Sequence, residues 1–143
     1  TGVQTCALPI SPEQRKLTET LLRAVGDFVW VENEQQIDAV TAVSGSGPAY
    51  VFYLVEALAA AARDAGLSSD VAERLARRTI EGAGALLQQS STTPGKLRES
   101  VTSPGGTTEA ALRVLMADNG LQELMTQAVR AATRRAGELA KSG

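Results

Sequence analysis

Apolar residues recur at helical spacing along most of the chain. Ser11-Pro-Glu-Gln14 has the form of a helix start, with Ser as N-cap, Pro at N1 and Gln at N3 completing a capping box. Leu17, Leu21, Leu22 and Val25 follow on one face, and Gly26 suits a left-handed stop. Phe28-Val-Trp-Val31 is a short β-type run with no partner run later in the sequence. An isolated strand cannot satisfy its backbone groups, so helix and strand together predict the tail of an α/β domain whose body is missing. From Glu34 onward the pattern is helical. It predicts a short helix over 34–43, with Ile37 and Val40 turned inward and Thr41 beside them. A long helix follows from Pro48 to about Ala65, with Gly66 as its stop. Ser68 or Ser69 caps the next, in which Val71, Leu75, Ile80, Ala83 and Leu87 keep inward spacing to about Gln89. Helical stretches over 96–101, 107–118 and 121–141 complete the chain. The expected fold is all-α over 34–143, preceded by one leftover helix and strand over 11–33.

Residues 1–10 fit neither period. The DNA string ACTGGAGTTCAGACGTGTGCTCTTCCGATC, part of a common short-read sequencing adapter, translates to these ten residues. Its next base, T, can open a Ser codon, and residue 11 is Ser. We therefore expect 1–10 to be non-native and the reading frame to begin inside a gene. Cys6, the one cysteine of the chain, falls in that segment.

Composition narrows the chemistry. Apolar residues make up 43% of the 143 residues but aromatics only 3%, so the core must be built from Ala, Leu and Val. One Cys and no His exclude an internal disulfide and the usual Cys/His zinc sites. Without His, proton transfer near neutral pH falls to a carboxylic acid, Lys, Tyr, water or a hydroxyl. The net charge is −2 and Lys and Arg are scattered, which gives no basic face for nucleic acid. No apolar run approaches the ~18 residues of a membrane span. A cytoplasmic location is the default expectation.

Two Gly/Ser/Pro breaks, Ser44-Gly-Ser-Gly-Pro48 and Ser103-Pro-Gly-Gly106, each deliver the chain into a helix start. Such a start presents unpaired N–H groups and partial positive charge, which favour a carboxylate or phosphate. Thr107 and Thr108 place two hydroxyls directly after the second break. Taken alone, such breaks are as well explained as turns and caps.

Longer segments carry more information. Asp38-Ala-Val-Thr-Ala-Val-Ser-Gly-Ser-Gly-Pro-Ala-Tyr50 and Val101-Thr-Ser-Pro-Gly-Gly-Thr-Thr108 resemble signature segments of the pyrroline-5-carboxylate reductases, in the same order and separation. Gly82-Ala83 and Pro94-Gly95 match as well, and the similarity runs from about Ser11 to Lys141. The resemblance implies a helical dimerisation domain of the 6-phosphogluconate-dehydrogenase C-terminal-like type. It makes 11–33 the end of an NAD(P)-binding Rossmann domain whose Gly-rich fingerprint is not in this chain. It also implies NADPH- or NADH-dependent reduction of 1-pyrroline-5-carboxylate to L-proline, the last step of proline biosynthesis. Each active site would be shared between two subunits of a homodimer or a higher oligomer. Ser103, Gly105, Gly106, Thr107 and Thr108 would bind the substrate, with the Thr108 hydroxyl on the ring nitrogen as the catalytic group. Ser46, Gly47, Pro48 and Ala49 would border the nicotinamide, and Glu34 resembles a glutamate near that cleft. No metal is implied.

This chain departs from the family pattern at Thr93, where many relatives carry His, and at Leu97-Arg-Glu-Ser100. Tyr50 and Tyr53 are expected to pack within the bundle. The chain is therefore expected to be the inactive C-terminal part of a reductase. The alternative is a stand-alone, non-catalytic helical dimerisation module. A related dehydrogenase acting on a β-hydroxy acid or another imine shares the two-domain plan but gives no reason for Ser-Pro-Gly-Gly-Thr-Thr.

Overall fold

The computed structural model describes residues 10–142, so most of the adapter-like run lies outside the described residues. Within them the regular elements are helices: α1 (Pro12–Arg23), α2 (Glu34–Val40), a π-helical turn (Thr41–Gly45), α3 (Gly47–Asp64), α4 (Ser69–Gln89), α5 (Pro94–Ser100), α6 (Thr107–Leu115) and α7 (Leu121–Ser142). The all-α expectation holds. The strand at 28–31 does not form: no strand occurs among the described residues, because no neighbouring strand is present to bond its backbone.

The capping box of α1 is formed as expected. Ser11 Oγ accepts the Gln14 amide at 3.2 Å, and the Ser11 amide donates to Gln14 Oε1 at 2.8 Å. Gly26 does not adopt a left-handed conformation; the helix ends through Ala24, which keeps right-handed helical angles. Beyond it the chain is tied back to α1 by Trp30, whose indole N–H donates to Glu19 Oε1 at 2.8 Å. The Arg15 guanidinium lies 4.4 Å from the centre of the same ring. The Trp30 hydrogen bond, aided by Arg15, holds the Glu19 carboxyl below its ordinary pKa.

α3 and α4 pack as a hairpin through a short turn, in which Gly66 takes φ +99°. The expected inward face of α4 is not the buried one. Ala72 and Ala76 are buried, whereas Val71, Leu75 and Leu87 stay open. Small side chains let the α3 and α4 backbones approach, and Ala59 is the matching buried position on α3. Ile37 and Val40 are likewise exposed, and Ala42 fills the inward place. Tyr53 is also outside the packing that the sequence suggested for it, at 71% exposure.

α7 returns to pack on α2 and the π turn. The approach is close: a Cβ on Gly137 would come within 3.2 Å of Asp38 Oδ2. The α6–α7 turn needs Gly120, where a Cβ would collide with the carbonyls of Leu115 and Ala117. α5 and α6 make no substantial packing contact with another helix. They form an arm between the hairpin and α7.

The core of one chain is therefore very small. Among the described residues Ala42, Ala59, Ala72 and Ala76 are the buried apolar ones, and no large side chain is fully buried. The chain exposes 11858 Å². A folded monomer of its 14.9 kDa would expose roughly 7000 Å² by size scaling. Much apolar surface is thus left for something else to cover.

Candidate functional site

The second break builds an open helix start. Gly105 lies at φ +71°, a left-handed angle that a glycine adopts without strain. Gly106 is the N-cap of α6, and a Cβ there would press on the Ser103 carbonyl at 3.0 Å. Both glycines are thus fixed by backbone geometry. The four amides of Gly105, Gly106, Thr107 and Thr108, expected to hold the carboxylate, do not all remain available. Gly106 N–H donates to the Ser103 carbonyl at 3.0 Å, and Gly105 N–H donates to Glu109 Oε2. The amides of Thr107 and Thr108, at N1 and N2, have no intrahelical partner. Thr107 and Thr108 are exposed, and neither hydroxyl bonds another described residue. Ser103 is exposed as well. The cradle is open, and two of these four amides are free.

Glu109 was not singled out in the sequence. It stands at N3, where a carboxylate reaches back over the helix start, and that position relative to Gly106 was the available signal. Arg113 donates to it at 2.9 Å. The Arg113 hydrogen bond, then that of the Gly105 amide, lowers its carboxyl pKa from the ordinary 4.5. A depressed pKa means a stabilising contact that is complete above 4.5 and is lost as pH falls through the folded value. The Gly105 amide resonance should accordingly titrate with a midpoint below 4.5. Glu109→Gln should abolish that titration. A midpoint at or above the ordinary value would show that the contact is not made in solution.

The first break is not a break. The helix runs on through 41–45 in π form, with the Ser46 amide bonded to the Thr41 carbonyl at 2.9 Å. Pro48 has no N–H and crowds the carbonyl four residues earlier, so an α-helical register cannot pass unchanged. The expectation of free amides fails here: Ser46 N–H is used, Ala49 N–H bonds the Ser46 carbonyl at 3.1 Å, and Pro48 has none. Ser46 and Gly47 are half-buried, and Pro48 and Ala49 are exposed. The Tyr50 hydroxyl donates to the Ala42 carbonyl at 3.0 Å.

Between the 27–32 segment and this turn lies an open cleft of about 930 Å³. Phe28, Trp30, Gln36, Val40, Val43 and Ser44 are among its walls. Glu34 is exposed in the first turn of α2, and Glu32 and Gln36 to either side of it reach the cleft. α6 makes no substantial packing contact with α2, α3 or the π turn within one chain. The two motif segments are therefore not assembled into one site by a single copy. No cluster of His, Cys, Asp and Glu among the described residues could hold a metal, and no described helix is long and apolar enough to cross a membrane.

A family model described as pyrroline-5-carboxylate reductase dimerisation matches residues 34–139. The chain belongs to that family. The pyrroline-5-carboxylate reductase of Pseudomonas aeruginosa is 48% identical over 132 residues, covering 92% of this chain and 48% of that protein. Pyrroline-5-carboxylate reductase 2 of Bacillus subtilis is 44% identical over 85% of this chain and 43% of its own length. Among solved structures, the reductase of Coxiella burnetii superposes with TM-score 0.81 at 45% identity, over 91% of this chain and 48% of that one. A Plasmodium falciparum pyrroline carboxylate reductase, with NADP bound, gives 0.71 at 28% identity over 89% and 48%. The chain spans about half the length of the pyrroline-5-carboxylate reductases it matches.

Proposed function

We propose that this chain is the substrate-side and dimerisation half of a pyrroline-5-carboxylate reductase that forms L-proline in the cytoplasm. The observation that carries the reading is the open start of α6, with the Thr107 and Thr108 amides free and the Thr108 hydroxyl beside them. A carboxylate on those amides gains the helix dipole as well as two hydrogen bonds. The ring nitrogen then lies within reach of the Thr108 hydroxyl. Reduction adds hydride to C5 and a proton to nitrogen, and the nicotinamide nucleotide supplies the hydride. No His of this chain can supply the proton, and the candidate beside the ring nitrogen is the Thr108 hydroxyl backed by water. Threonine is a weak acid, so its role is to orient and polarise the C=N bond.

Ser46, Gly47, Pro48 and Ala49 border the nicotinamide in this reading, with Glu34 nearby. The exposed apolar faces and the unpacked α5–α6 arm support a homodimer in which the arm reaches the partner. The fit to a nucleotide is partial: the π turn offers a wall but no pyrophosphate cradle, since the Ser46 and Ala49 amides are already bonded and Pro48 has none. The isolated chain should show no NAD(P)H binding by calorimetry. Micromolar affinity would overturn the division of labour. Fusing residues 11–143 to the N-terminal half of the Pseudomonas aeruginosa relative should restore NAD(P)H-dependent reduction of 1-pyrroline-5-carboxylate. A folded, dimeric fusion without that activity would favour the stand-alone dimerisation module.

A further inference from the structure

Pro48 disturbs the α register, and one side chain from the following helix bonds a carbonyl that the π turn leaves open. In a regular helix the Ala42 carbonyl would accept the Ser46 amide. That amide goes to Thr41 instead, at 2.9 Å, and Ala42 is 1% exposed, so bulk water does not reach it freely. Tyr50, in the first turn of α3 and half-buried, fills the place with its hydroxyl at 3.0 Å. Among the described residues no other side-chain hydrogen bond reaches 41–47. With the Ser46 amide turned to Thr41, the Tyr50 hydroxyl is the side-chain donor left to the Ala42 carbonyl. If the amide took it, the turn would revert toward α register. Ser46 and Gly47 would swing by one residue's rotation, roughly 100° about the helix axis. Val43 and Ser44, on the wall of the cleft, lie inside the same turn.

We propose that Tyr50 is a positioning residue. Its hydroxyl keeps the π register, and that register sets the wall against which the nicotinamide end of the nucleotide binds. The last clause rests on the reading above, in which Ser46 to Ala49 border that group. π insertions in α-helices occur often at functional sites because they re-aim a few residues without breaking the helix. Here the device needs a donor within one turn, and the Tyr50 ring spans that distance.

Two measurements decide it. On the chain itself, Tyr50→Phe should speed amide exchange at 44–47 about 10-fold while Ala59, Ala72 and Ala76 keep their protection. In the fusion enzyme the same substitution should raise KM for NAD(P)H about 10-fold. It should leave kcat and KM for the imino acid within 2-fold. Tyr53→Phe, at an exposed position, should change neither. Unchanged exchange at 44–47, or loss spread evenly over α3 and α4, overturns the positioning role. A loosened turn with an unchanged nucleotide KM overturns its link to the cofactor. A parent fusion with no reductase activity overturns the proposed function and that link together, while the exchange data still decide whether Tyr50 holds the turn.

Discussion

In an intact reductase carrying this chain, Thr108→Ala lowers kcat by about 10²–10³-fold while the protein melts at nearly its original temperature. The size is that seen when one preorganised donor to a reacting heteroatom is removed. The stability half follows from local geometry. Thr108 is exposed and its hydroxyl bonds no other described residue, so truncating it breaks no fold contact. Exposed substitutions of this kind stay within about 0.5 kcal/mol. In the proposed site backbone amides, which alanine also provides, hold the carboxylate, so KM for the imino acid should move little. Thr108→Ser, which keeps the hydroxyl, should recover most of the lost rate. Full activity in the alanine variant would remove the side chain from the mechanism.

Gel filtration of the chain should give a dimer, and its denaturation midpoint should rise with protein concentration. Stability that includes association must depend on concentration. The accessible surface of 11858 Å² stands well above the roughly 7000 Å² of a folded monomer this size. On each chain the difference exceeds the share one partner gives to an obligate interface, whose two-sided total is about 2000–5000 Å². Phe52, Leu75, Leu86, Leu124 and Leu139 are all at least half exposed in one copy. Leu124→Asp should put an unpaired charge on such a face, dissociate the dimer and take helical ellipticity with it. A compact, stable monomer at every concentration would count against the fold.

Helix positions were legible because their signals are local. Ser11 and Gln14 form the expected cap, Gly66 the expected left-handed stop, and α3 and α4 end within a residue of the expected positions. The inward faces were not legible from one chain. Val71, Leu75 and Leu87 have the spacing of core residues, but spacing cannot tell a face that meets its own chain from one that meets a partner. The π turn was hidden for a different reason. Gly and Pro in Ser44-Gly-Ser-Gly-Pro48 signal a break, whereas the backbone widens instead and its open Ala42 carbonyl is met by Tyr50, six residues downstream of Ser44. At the α6 start the motif pointed to a segment whose helix N-terminus is open. It did not show that Glu109 already occupies the Gly105 amide, which narrows the room for a ligand to Thr107 and Thr108.

The Trp30 clasp on α1 has a practical side. It is the chain's sole tryptophan, and Glu19 and Arg15 surround it far from the α3–α4 hairpin in sequence. Indole emission thus reports the joint between α1 and the following segment, whereas far-ultraviolet ellipticity is dominated by α3, α4 and α7. Melting curves from the two probes describe separate regions, and neither should stand in for the other.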